Sequence, residues 1–169
     1  MIYEDGLALK SSWKALLQQF EVSPKACCQL LLDLVQAYSS GNRFYHTLEH
    51  VQAVLNSIEF LKQDTSNLPA LQFAAWFHDV IYDTRAKDNE EKSAAYAVTA
   101  LNQLGIPSNI IDDVAQIILD TKHHQPSGNN RDSQIFLDAD LAILGAEEAE
   151  YRFYAQKIQR EYSWLSPVE

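Results

Sequence analysis

The sequence predicts an all-α fold of about eight helices in a single domain spanning residues 1–169. Two observations carry this. Apolar residues recur at helical spacing almost throughout, and no segment shows sustained period-two alternation. The breaks between periodic segments are short, which favours a bundle of neighbouring helices.

Leu9, Trp13, Leu16, Leu17 and Phe20 form one helical face. Ser23-Pro24 is a cap followed by proline at the first helical position, and Cys27, Leu30, Leu31, Leu34, Val35 and Tyr38 form the face behind it. Ser39-Ser40-Gly41-Asn42 breaks the chain, and a third helix carries Val51, Val54, Leu55, Ile58 and Leu61. Leu71–Tyr82 is apolar nearly all round, so it is expected to be the buried central helix. Asp88 or Asn89 caps a helix with Ala94, Ala97, Val98, Leu101 and Leu104 inward. Gly105-Ile106-Pro107 stops it, and Ile110, Val114, Ile117 and Ile118 mark the next. After the loop Pro126-Ser127-Gly128-Asn129-Asn130, two helices are expected over about 133–144 and 147–164.

At 169 residues the chain can bury one core, and 47% hydrophobic with 21% charged residues is ordinary for a globular protein. No apolar run approaches the roughly 20 residues that cross a bilayer. Met1-Ile2-Tyr3-Glu4-Asp5 lacks the basic and apolar regions of a secretion signal, so a cytoplasmic location is expected. A net charge of −10 argues against a broad surface for duplex nucleic acid, though a metal and a few local bases can still hold one phosphate. Cys27 and Cys28 are expected to pack as buried free thiols.

The chemistry concentrates in four side chains: His50, the adjacent pair His78-Asp79, and Asp140. Two imidazoles and two carboxylates on apolar segments are costly to bury without a cation. The mixture suits Mn, Ni, Co, Fe or Zn, with Mg less favoured by the imidazoles. A divalent ion of this kind binds and activates water. His46 lies four residues before His50 and shares its face if the helix begins there.

The ordered set His50, His78-Asp79, Asp140 resembles the HD-domain superfamily of metal-dependent phosphohydrolases. The stretches Tyr45–Val51, Phe77–Asp83 and Asp138–Gly145 resemble one bacterial subfamily of it, over about Arg43–Tyr162. The resemblance implies an all-α HD-like bundle with His50, His78, Asp79 and Asp140 as metal ligands. It favours Asp140 over Asp138, which it leaves behind the site. Tyr45-His46-x-x-x-His50 is also similar to an element of cyclic-nucleotide phosphodiesterases, which makes His46 the general acid; Thr47 stands where that family has Asn.

Asp83 is a candidate orienting group or base, and Arg43, Lys122 and His124 are candidates for phosphate oxygens. His123, Glu90 and Glu91 are further polar neighbours. The expected partner is a small phosphorylated substrate, such as a nucleotide, with no membrane. Two rival readings are an HD-type di-iron oxygenase and a non-catalytic metal- or nucleotide-binding regulatory module. The chain ends at Ser166-Pro167-Val168-Glu169, short of the subfamily's usual extent, which raises exposed apolar surface and homo-oligomerisation as expectations.

Overall fold

The computed structural model describes the backbone of residues 2–165 and side chains from Leu7 onward. The expectations resting on Met1 and on Ser166–Glu169 lie outside these residues. Among the described residues there are eight α-helices and no strand. They are α1 (Ile2–Gln18), α2 (Pro24–Tyr38), α3 (Leu48–Leu61), α4 (Leu68–Phe77), α5 (Asn89–Gln103), α6 (Ser108–Thr121), α7 (Arg131–Asp140) and α8 (Glu148–Glu161). Short 3₁₀ turns follow α3 at Lys62–Asp64 and α7 at Leu141–Gly145.

The chain starts helices where side chains can satisfy free N–H groups. Ser23 Oγ accepts from Ala26 N–H, with Pro24 opening α2. Thr47 Oγ1 accepts from Glu49 N–H, Asn67 Oδ1 from Ala70 N–H, and Asn130 Oδ1 from Ser133 N–H. Gly105 takes φ +74° and Ile106 N–H returns to Leu101 O, which ends α5 before Pro107.

α4 is the centre. Ala70, Leu71, Phe73, Ala74, Ala75, Trp76 and Phe77 are all buried. Trp13 of α1 meets the Trp76 ring edge-on with centroids 5.2 Å apart, and Phe73 at 6.2 Å. α6 packs against α4 and α5, and α3 against α4 and α7. The expected inward faces of α1, α2, α3, α5 and α6 enter this core, with Phe20, Leu31, Leu61, Val98 and Leu104 packed at its edge. α8 lies outside it; Glu161 is the residue it buries most fully. Around α8, Leu144, Tyr151, Phe153, Trp164 and Leu165 remain exposed.

Three expectations are corrected. α4 stops at Phe77 although apolar residues continue to Tyr82. The carbonyls beyond it are taken by distant donors: Arg43 reaches Asp79 O at 2.6 Å and Val80 O at 2.9 Å. Ser93 Oγ bonds both the N–H and the carbonyl of Ile81, so the carbonyls of Asp79, Val80 and Ile81 find partners without helix. The last two helices are shorter than expected: α7 gives way after Asp140 to a 3₁₀ turn at 141–145, and α8 ends at Glu161 instead of near 164. Cys27 is buried as expected, whereas Cys28 is exposed on the outer side of α2. No helix among the described residues is long and apolar enough to cross a membrane.

Candidate metal centre

Three packed core helices bring the ligand candidates together. His50 sits in the first turns of α3, His78 caps the C-terminus of α4, and Asp140 is the last residue of α7. Both imidazoles are buried. His50 Nε2 lies 3.1 Å from His78 Nε2 and 3.0 Å from Asp140 Oδ1. His78 Nε2 lies 3.5 Å from Asp140 Oδ1. Asp79 Oδ2 approaches His78 Nε2 at 3.1 Å and His50 Nε2 at 3.7 Å. The donors of His50, His78 and Asp140 all fall within 4.8 Å of one another. Asp79 touches both imidazoles from outside that mutually close trio.

These separations fit a shared cation. Donors bound at about 2.1 Å in tetrahedral or octahedral geometry stand roughly 3.0–3.4 Å apart. The tautomer fits as well. His78 Nδ1 is 3.1 Å from Ala75 O, which only accepts, so Nδ1 carries a proton and Nε2 is the nitrogen turned to the cluster. Nε2 of His50 then meets it head-on, an arrangement that calls for positive charge between them.

The electrostatics agree. Burial opposes ionisation of Asp140, yet hydrogen bonds from His50 and His78 hold its carboxyl far below the usual carboxylate range. Burial likewise opposes ionisation of Asp79, but the charge of His78 and then of His46 pulls it down. Burial disfavours protonated His78, but with no cation bound Asp79 and Asp140 reverse this and raise it well above an ordinary histidine, so a proton occupies Nε2 where a cation would displace it.

The ending of α4 explains how consecutive residues serve one centre. Neighbours within a helix diverge by about 100°. His78 is the capping residue and Asp79 lies in the turn after it, so the backbone re-aims the carboxylate toward the imidazoles. Asp138, the rival ligand, is exposed on the outer side of α7, while Asp140 points inward.

A second polar unit stands beside the cluster. His46 precedes α3, so its nearness to His50 comes from the entry loop and not from a shared helical face; their ring centroids are 5.8 Å apart. His46 Nδ1 is 2.7 Å from Glu161 Oε2, and the His46 ring stacks on Tyr82 at 4.1 Å. Oε1 of Glu161 accepts the N–H groups of Phe44, Tyr45 and His46 at 2.6, 2.7 and 3.0 Å. The Glu161 side chain is 0% exposed. Burial pushes its carboxyl up, but the His46 bond and the backbone donors outweigh this and hold it below the ordinary glutamate value. Because a carboxylate only accepts, it fixes the proton on His46 Nδ1 and leaves Nε2 for the cleft.

That cleft, of about 410 Å³, is lined by His46, His50, His78, Asp79 and Asp140 together with Tyr82, Glu90, His124 and Tyr154. His124 adopts φ +49° at the end of α6 and places Nε2 3.8 Å from Asp140 Oδ2. The other candidates lie elsewhere. Asp83 is exposed and builds its own turn, accepting Arg85 N–H at 2.9 Å. Arg43 is tied to the carbonyls of His46, Asp79 and Val80, so it clamps the entry loop onto the end of α4. Lys122 bonds Lys87 O and pairs with Glu91. His123 is exposed. Glu161 was not expected; the signal is the stripe Tyr154, Ile158, Glu161, which sets an acid on the inward face of α8.

Compared with models of known protein families, with curated proteins and with solved structures, the chain matches none.

Proposed function

We propose that this chain is a metal-dependent phosphohydrolase of the HD type, acting on a small phosphoester. The observation that carries the reading is the convergence of His50, His78, Asp79 and Asp140 beside a separately oriented His46 in one cleft. A divalent ion held by those four residues would supply Lewis-acid charge and bring the pKa of water toward neutrality. His46 is the proton donor to the departing oxygen, through Nε2. Glu161 is a positioning residue: it fixes the tautomer and stabilises the imidazolium, as a buried carboxylate does for a catalytic histidine. Tyr82 holds the ring plane by stacking.

Charge in the cleft narrows the substrate. Among the described residues no lysine or arginine lines it. The neighbouring cations are engaged: Arg43 with backbone carbonyls, Lys122 with Glu91, Lys157 with Glu49 at 2.6 Å. A polyphosphate would bring several negative charges against Asp79, Asp140 and Glu90 with little to offset them. A substrate with a single phosphate and an uncharged organic part suits this lining.

The test is a panel of phosphoesters with protein reconstituted in Mn, Co, Ni, Zn or Mg. Monophosphates are expected to turn over faster than the matching triphosphates. His46→Ala is expected to lower kcat by roughly 10²–10⁴ with the metal retained. Undiminished turnover in a metal-free His78→Ala/Asp79→Ala variant would refute the reading. Two irons per chain with oxygen uptake would favour the oxygenase alternative, with His124 and Glu90 as the remaining donors. Ligand binding without turnover across all metals would favour the regulatory one.

A further inference from the structure

A second cleft, of about 790 Å³, lies on the far side of Tyr82 and Glu161, which line its wall. Its charge is opposite in kind to the metal cleft. Arg43, Arg85 and Arg160 line it, in a chain whose net charge is −10. Among the described residues, neither Arg85 nor Arg160 forms an ion pair or a side-chain hydrogen bond. Each is instead laid over an aromatic ring: Arg85 Cζ is 5.1 Å from the Trp164 centroid and Arg160 Cζ is 4.0 Å from that of Phe44. A guanidinium drawn over a ring face is attracted there without using its N–H groups. Trp164 is itself anchored, donating from Nε1 to Thr84 Oγ1 at 2.7 Å.

Two carboxylates, Glu161 and Asp83, also line the cleft, and neither forms an ion pair with Arg85 or Arg160. Both oxygens of Glu161 are engaged with His46 and the backbone of residues 44–46. Asp83 Oδ1 accepts from the Arg85 backbone N–H, not from its guanidinium. The cleft therefore presents guanidinium donors without protein partners, the groups that recognise phosphate oxygens through forked N–H pairs. We infer that the cleft bounded by Arg85, Arg160 and Trp164 is a binding site for a multiply charged phosphate anion, separate from the metal centre.

The probe is inorganic pyrophosphate, titrated calorimetrically into metal-free protein. One saturable site per chain is expected, together with a change in Trp164 emission. Trp13 and Trp76 are at most 1% exposed, so they do not report on a surface ligand. Arg85→Ala/Arg160→Ala is expected to weaken binding at least tenfold with an unchanged circular dichroism spectrum. His78→Ala/Asp79→Ala is expected to bind as the parent does. Absence of saturable binding, equal affinity in the double arginine variant, or loss confined to the His78/Asp79 variant would each overturn the assignment.

Discussion

The metal cluster and the His46–Glu161 pair touch the same cleft but are built differently. The cluster hangs on α3, α4 and α7, whose inward faces are close-packed around Leu71, Trp76 and Phe136. The pair hangs on an entry loop and on α8, a helix that contributes almost no apolar burial. Its position is set by polar contacts: the four bonds of Glu161, Lys157 to Glu49, Tyr82 to Tyr162 at 3.3 Å and Trp164 to Thr84. Apolar packing therefore positions the candidate metal cluster, and hydrogen bonds with the Tyr82 stack position His46. The two are expected to fail independently.

The largest effect expected is from His78→Ala or Asp140→Ala. Either removes a donor from the converging set, and metal content by elemental analysis should fall to background with loss of turnover. Glu161→Gln comes next. It is expected to lower kcat by roughly 10²–10⁴ through misplaced or mis-protonated His46, while metal content stays at the parent level. A parallel loss of metal would merge the two regions and break the comparison.

Leu71→Ala in α4 removes a fully buried side chain and should cost about 2–5 kcal/mol in denaturant melts, loosening the cluster before the pair. Acid sharpens the contrast from the other side. Glu161 is held below its ordinary value, so it contributes stability that is present above the unfolded glutamate range near 4.3. That contribution is lost as pH falls through the lower folded value. Stability measured from pH 6 to 3 should fall less steeply in Glu161→Gln than in the parent. The smallest effect is Lys157→Ala: its bond to Glu49 is largely solvent-exposed and should contribute about 0.2–1 kcal/mol, read as a small shift in melting midpoint.

The core was legible because it is local. Leu9, Trp13, Leu16 and Leu17 repeat at helical spacing, and spacing alone decides which face is apolar. The candidate ligands were legible because a cation demands particular donor types. What sequence did not reveal depends on partners far along the chain. The apolar run through Val80 and Ile81 suggests more helix, but Arg43 and Ser93 provide the hydrogen bonds that end it. Arg43 looked free to bind phosphate, yet its donors meet carbonyls more than thirty residues away. Glu161 sits 115 residues from the imidazole it orients, and no spacing rule links them.

The most direct measurement is calorimetric titration of a divalent ion, Mn or Ni, into metal-free parent, His78→Ala and Glu161→Gln proteins. Convergence of His50, His78, Asp79 and Asp140 predicts one strong site in the parent, the same site in Glu161→Gln, and none in His78→Ala. Equal binding by the parent and His78→Ala, or no binding by the parent, would contradict it.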